Sequence, residues 1–278
     1  MTNSRGNIFI YQIYYDHESR RALDPGFSPL DNSTSDRPDW YEFWPIRNYL
    51  RNHELKDDSW YGFLSPRFFQ KTGIKSSLIN DTLTKYSQGA DVALFSQGWD
   101  QLAYFLNPFE QGDVWHPGLQ NLSQKFFDEI GLNISLSNLV TCAKTSVFSN
   151  YIIAKPKFWR QWLLIADQFF DLVEGNASAD YGTTTSYGSA LNQTPMKTFI
   201  QERFASVILA RGNFRVISFD QSDTAPIFSR IFSDTPQTRR MLQTCDLLKE
   251  KFCLTSDPDF LRAYEKIRND VPFRRPHM

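Results

Sequence analysis

The 278 residues suffice for one large domain or two small ones with a sizeable core. A formal net charge of −1 and a pI near 6.4 lack the basic surplus that a nucleic-acid binder normally carries. Three cysteines (Cys142, Cys245 and Cys253) form neither a CxxC pair nor an even disulfide framework, which points to a reduced compartment. The 24 Phe, 12 Tyr and 7 Trp can fill a core, and the same rings can line a pocket that stacks on sugar or base rings.

No stretch reaches the roughly 18 apolar residues of a membrane span. The opening run Ile8–Tyr15 is short and carries Gln12, so it reads as a strand and not a signal peptide. Without a secretion signal, the Asn-x-Ser/Thr triplets at Asn32, Asn80, Asn121, Asn133, Asn176 and Asn192 read as chance products of an Asn/Ser/Thr-rich chain. The expectation is a cytoplasmic protein, with peripheral association at the inner membrane face left open.

In chain order, IFIYQIYY is a continuous apolar strand ending in Asp16-His17-Glu18. A long loop follows, DPGFSPLDNSTSDRPD, and Asp39 is placed to cap a helix over Trp40–Asn52. Trp60–Leu64 reads as a second strand running into Ser65-Pro66 and the basic, aromatic segment Arg67–Gly73, then a helical piece over Ser76–Ser87. DVALF (Asp91–Phe95) is a short buried strand ended by Ser96-Gln97-Gly98. Glu110-Gln111-Gly112 and His116-Pro117-Gly118 read as a glycine-rich loop before a helix over Leu119–Ile130, which Gly131 closes.

The β-prone run Val147–Ala154 is interrupted by Ser149-Asn150 and changes at Lys155-Pro156 into a helix with Phe158, Trp159 and Trp162. The spacing predicts a buried strand that delivers polar residues to its end, the way open α/β sheets build ligand crevices; an ordinary strand–helix unit has the same spacing. Gly175–Thr194 reads as a lid or loop, Met196–Leu209 as one helix with Glu202-Arg203 in its middle, and Phe214–Phe219 as a closing strand. Thr235–Phe252 and Pro258–Asn269 are helical, with RRPHM a frayed end. Alternating strands and helices give the class: a single-domain α/β fold with about five or six strands in a mixed, mostly parallel sheet flanked by helices. Residues 1–220 form that domain, and 221–278 a helical extension packed on it.

The chain lacks a Gly-x-Gly-x-x-Gly after its first strand, a Walker lysine loop, a His-x-x-x-His pair and a GxSxG elbow. What remains is a set of strand-end groups. Asp91 and Asp100 could hold a divalent cation or serve as turn groups. Glu110, Gln111 and His116 could bond sugar hydroxyls or take a proton from one, or simply tie their own loop. Arg67 and Lys71 could neutralise phosphate or be a solvated surface. Glu202 could act as base or as a buried ion-pair partner of Arg203 or Lys197.

SNYIIAKPKFWRQWL followed by PMKTFIQERFASVIL resembles the acceptor-side half of GT-A-like bacterial glycosyltransferases from capsule and lipopolysaccharide loci. The matching residues are Asn150–Lys155 and Phe199–Arg203. The front half, with YQIYYD, DRPDWYEFWPIR, YGFLSPRF, KTG, DVALFS and FEQGDVWHPG, resembles proteins encoded beside glycosyltransferase genes, so the likeness runs from about Ile8 to Phe219. The resemblance implies a GT-A-like, Rossmann-related sheet and a nucleotide-sugar donor, with the base near the first strand and the pyrophosphate near DVALF. Donor-binding candidates are then Tyr11, Gln12, Tyr14, Asp16, Arg67, Lys71, Asp91 and Ser96. Gln111, Asn150, Tyr151, Lys155 and Arg203 are candidates for the acceptor or sugar, and Glu110, His116 and Glu202 for the base.

The Asp-x-Asp metal motif is missing where the chain reads Asp-Val-Ala-Leu-Phe-Ser. That leaves open a manganese or magnesium ion, a metal-independent enzyme using Arg67, Lys71 or Lys155, or lost catalysis. The expected function is transfer of a sugar to a glycan or lipid-linked acceptor in surface-polysaccharide assembly. The alternative is a non-catalytic carbohydrate-binding or scaffold protein of the same fold.

Overall fold

The computed structural model describes residues 7–86, 89–175, 179–187, 189–227 and 229–274. In chain order these form β1 (Ile8–Tyr14), α1 (His17–Arg21), β2 (Ser28–Asp31), α2 (Phe43–Asn52), β3 (Trp60–Leu64), α3 (Phe68–Thr72), α4 (Ser76–Tyr86), β4 (Val92–Leu94), α5 (Trp99–Tyr104), α6 (Pro108–Trp115) and α7 (Leu119–Glu129). There follow β5 (Ile152–Ala154), α8 (Pro156–Glu174), β6 (Thr184–Tyr187), β7 (Ser189–Pro195), α9 (Met196–Gln201), α10 (Phe204–Arg211), β8 (Val216–Ser218), α11 (Pro236–Thr255) and α12 (Pro258–Asp270).

Six strands make one sheet in the order β2-β1-β3-β5-β4-β8, parallel except for β5, which runs against both β3 and β4. Side chains alternate between two cores. Tyr61, Phe63, Val92, Leu94, Ile152 and Ala154 face one, and Trp60, Leu64, Ala93, Phe95 and Ile153 face the other. A sheet covered on both sides needs strands apolar at every position, and β3, β4 and β5 are buried throughout. On the first face α8 buries Phe158, Trp159, Trp162, Ile165, Ala166 and Phe169, one stripe of a 3.6-residue repeat. The Trp159 indole N–H donates to the Tyr61 carbonyl at 2.9 Å, so its polar edge is satisfied inside the core.

The C-terminal segment packs onto α5. Trp99, Ala103, Tyr104 and Phe105 share a cluster with Ile231, Phe232, Leu242 and Val271. Buried Lys249 donates from Nζ to the carbonyls of Leu102 and Phe105, both at 2.5 Å. No helix among the described residues is long and apolar enough to cross a membrane.

Several boundaries differ from expectation for physical reasons. The helix expected over Trp40–Asn52 is a 3-10 turn (Pro38–Trp40) followed by α2, divided at Tyr41, whose φ of 47° no helix accepts. Asp39 therefore caps nothing, and its carboxylate pairs with Arg37 and Lys197. The expected loop from Glu110 to Gly118 is mostly α6, with Asn107 as its N-cap accepting from the amides of Phe109 and Glu110. The expected helix Met196–Leu209 is two helices, broken at Glu202-Arg203.

The long loop after β1 contains an edge strand, β2. The expected lid holds a short antiparallel ribbon, β6–β7, and Asn176 within it lies outside the described residues. The same is true of Ser87 at the expected end of α4 and of residues 275–278. Gly131 takes φ 68° just beyond the α7 cap, as expected of a closing glycine.

Candidate functional site

The reversal of β5 decides which residues meet. Strands β1, β3 and β4 finish at the same edge of the sheet, and β5 begins there, so Asn150 and Tyr151 sit between the ends of β3 and β4. The Phe95 amide donates to the Tyr151 carbonyl at 3.0 Å and locks that junction. Ser206 of α10 holds the preceding loop by accepting from the Val147 amide at 2.7 Å and donating to its carbonyl at 2.9 Å. Lys155 and Asp91 lie at the opposite edge, where the Lys155 amide donates to the Asp91 carbonyl. Asp91 is bonded there to the Arg215 amide, and the Lys155 ammonium lies over the Trp60 ring.

At the first edge a polar group gathers. Tyr15 follows β1, Ser65 and Arg67 follow β3, Lys71 is on α3, and Ser96 and Gln97 follow β4. Glu42 stands at the start of α2 without a side-chain cap bond, and Glu202 stands at the end of α9 in the break before α10. These groups act on one another. The Tyr15 hydroxyl is pushed up by burial and then by the Glu42 carboxylate, with Arg67 opposing. Tyr151 is raised by burial, with Lys71, Glu42 and Glu202 all acting on it.

Glu202 is half-buried. Loss of hydration pushes its carboxyl from an ordinary 4.5 up to about 7; Arg203 and Lys71 pull against that rise and Glu42 adds to it. A carboxyl raised to about 7, with the Arg203 and Lys71 cations acting on it, can exchange a proton near neutrality.

The second sign is unmet hydrogen bonding. Buried polar side-chain atoms nearly always have partners. Here the hydroxyls of Ser96 and Ser149 and the Gln97 side-chain amide oxygen, all at this edge, have none among the described residues. Thr198 Oγ1 and Gln201 Oε1 on α9 are likewise unpartnered. The half-buried Asn150 amide extends the row between Ser149 and Tyr151.

Other expected site residues serve the fold. Gln12 donates to the Ser65 carbonyl at 3.2 Å and accepts from the Asp24 amide at 2.8 Å. The Tyr11 and Tyr49 hydroxyls bond each other at 2.7 Å. Tyr14 engages Asp31, and Asp16 caps α1 in a reciprocal box with Ser19. Glu110 accepts from the Leu106 amide at 2.6 Å and pairs with Arg268 of α12 at 2.5 Å. Buried Arg203 donates to the carbonyls of Pro108 and Phe199 and, at 2.8 Å, to Gln111 Oε1. Gln111 in turn donates to Gln101 at 2.8 Å. His116 is stacked on Phe199 with centroids 3.6 Å apart, and burial, then Arg203, holds its imidazole down to about 3. An imidazole so reluctant to take a proton is a weak base.

Of the expected residues the structure therefore brings together Arg67, Lys71, Ser96, Asn150, Tyr151 and Glu202. Tyr15, Glu42, Gln97 and Ser149 were missed. Tyr15 adjoins the Asp16 that was singled out, and Gln97 and Ser149 adjoin Ser96 and Asn150. Glu42 had no signal beyond lying between two aromatic residues.

Among the described residues no three His, Cys, Asp or Glu side chains come together at metal-ligand spacing. The carboxylates Glu42 and Glu202 share this edge with Lys71 and Arg67, so the group suits an anionic ligand better than a resident divalent cation. No protein-family model, curated protein or solved structure matches the chain.

Proposed function

We propose that this chain is a glycosyltransferase that moves a sugar from a nucleotide-sugar donor to a hydroxyl-bearing glycan or lipid-linked acceptor, using the strand-end polar group around Glu202. The observation that carries the reading is the meeting of unpartnered buried hydroxyl and amide groups with a carboxyl titrating near 7 and two cations. Unpartnered hydroxyls and amides suit a ligand rich in hydroxyls, since each bond made removes a desolvation cost of about 1–3 kcal/mol. Lys71 and Arg67 suit the diphosphate, as a point charge and a fork respectively.

In this mechanism Glu202 takes the proton from the acceptor hydroxyl. The acceptor oxygen bonds to the anomeric carbon as the sugar–diphosphate bond breaks, and the diphosphate leaves with the electron pair. Lys71 and Arg67 stabilise the charge that develops on it. The mixed, mostly parallel sheet agrees with the GT-A-like resemblance, and the resemblance adds a surface-polysaccharide setting.

A thermal-shift screen of nucleotide sugars, with and without manganese, tests the reading, because a ligand that binds only the folded state raises the melting temperature. The expected result is a shift with one donor that Lys71→Ala abolishes, and donor turnover that Glu202→Gln lowers by about 10²–10⁴. Donor binding without turnover would favour the non-catalytic carbohydrate-binding reading. No shift with any donor would refute both donor recognition and transfer.

A further inference from the structure

Helix α2 and its cap carry two adjacent stripes, Trp44–Asn48–Asn52 and Pro45–Tyr49–His53, each at the i, i+4 spacing that stacks side chains on one helix face. Opposite them run the end of β2 and the loop after it, residues 30–36. Between the two walls lies a cavity of about 270 Å³. From Trp44 to His53 the helix rises about 13 Å, long enough for about two pyranose rings end to end.

The chemistry of the walls narrows the ligand. Asp31 and Asp36 are among the lining residues and no Lys or Arg is; the guanidiniums of Arg37 and Arg47 each lie 5.9 Å from the Trp44 ring centre. Hydrogen bonds from Ser33 and Tyr14 hold the Asp31 carboxyl below its ordinary range, so it stays charged at neutral pH and repels anions. The Tyr49 and His53 rings stack at 4.1 Å and 6°, a flat pair beside the half-buried Trp44. His53 Nδ1 lies 3.0 Å from the Tyr49 carbonyl, which fixes the ring and leaves Nε2 for a ligand. The side-chain amides of Asn32 and Asn48 have both donor and acceptor atoms, and Asn52, whose Nδ2 donates to the Asn48 carbonyl at 2.8 Å, keeps its oxygen and a second N–H.

We infer that this groove is a binding site for an uncharged oligosaccharide. The C–H faces of its sugar rings lie on the Trp44 and His53 rings, and its hydroxyls bond the asparagine amides and Asp31. Phosphorylated or uronic-acid sugars are disfavoured by the two carboxylates. The site does not depend on the transfer reaction, since none of its lining residues is among those gathered at the strand ends near Glu202.

The test is calorimetric titration of the full chain with cellotriose, maltotriose and chitotriose, and with trigalacturonate as the anionic control. The variants are Asn48→Ala/Asn52→Ala, the exposed Asp36→Ala and Glu202→Gln, each checked for an unchanged far-UV circular dichroism spectrum. At least one neutral trisaccharide is expected to bind. Its affinity falls about tenfold or more in the asparagine double variant and stays unchanged in Glu202→Gln, and trigalacturonate binds about tenfold more weakly. Asp36→Ala narrows the gap between neutral and anionic ligands. The inference is overturned if no neutral trisaccharide binds, if binding is lost in Glu202→Gln and retained in the asparagine variant, or if trigalacturonate binds as well as its neutral counterparts.

Discussion

Replacing Glu202 by Gln tests the electrostatics of the strand-end group without needing a substrate. The carboxyl titrates near 4.5 in the unfolded chain and about 7 in the folded one, chiefly because the fold strips its hydration. Below pH 4.5 it is protonated in both states and contributes nothing. Between 4.5 and 7 the unfolded chain releases the proton while the folded chain keeps it, so folding stability falls as pH rises. Above 7 the penalty is constant. A gap of about 2.5 pH units corresponds to at most about 3.4 kcal/mol, and solvent reaching the half-buried carboxylate lowers that to about 1–2 kcal/mol.

Gln keeps the shape and cannot ionise, so Glu202→Gln should match the wild type near pH 4. At pH 8 it should melt about 2–8 °C higher. The assay is thermal unfolding of both proteins across pH 4–8.5, followed by circular dichroism. A difference that does not change with pH, or a variant less stable than wild type at pH 8, would refute the account of Glu202. A site that lowers stability in this way is under-satisfied until a ligand arrives, as proton-transfer sites commonly are.

The other predictions separate scaffold from site. A Cβ at position 112 would come within 2.8 Å of Arg203 Nε and Nη2, which are fixed by bonds to Pro108 and Gln111. Gly112→Ala should therefore cost about 2–4 kcal/mol, read as a lowered urea midpoint with unchanged slope. His116 takes a proton only near pH 3 when folded, against 6.5 when free, so stability is complete above 6.5 and falls as pH drops towards 3. His116→Phe, which keeps the stack on Phe199, should flatten that acid loss in a series of melting curves. Lys71→Ala should weaken binding of a nucleoside diphosphate about tenfold or more, whereas Lys155→Ala, at the far edge of the sheet, should leave it unchanged in calorimetric titration.

Periodicity carried the α/β class because it depends on burial alone. The short apolar runs WYGFL and VALF, bounded by turn residues, fit strands covered on both faces, and the aromatic stripe of α8 fits a helix packed on one face. Strand direction is not written in such runs. Val147–Ala154 read equally well as a strand pointing either way, and its direction determines whether Asn150 or Lys155 faces the ends of β3 and β4.

The break at Glu202-Arg203 was hidden for a related reason. Phe199, Phe204, Val207 and Ile208 are all buried, so one helix accounts for the apolar residues as well as two do. What divides them is Arg203, whose guanidinium bonds the carbonyls of Phe199 and Pro108 and the Gln111 side chain. No local pattern records the contacts with Pro108 and Gln111, which lie more than 90 positions away. The same contacts tie Arg203 and Gln111 into the scaffold and leave Glu202 in the strand-end group, within electrostatic reach of Lys71. In this chain the chemistry-bearing residue types could be named from the sequence, and two tertiary facts chose among them: the reversal of β5 and the anchoring of Arg203.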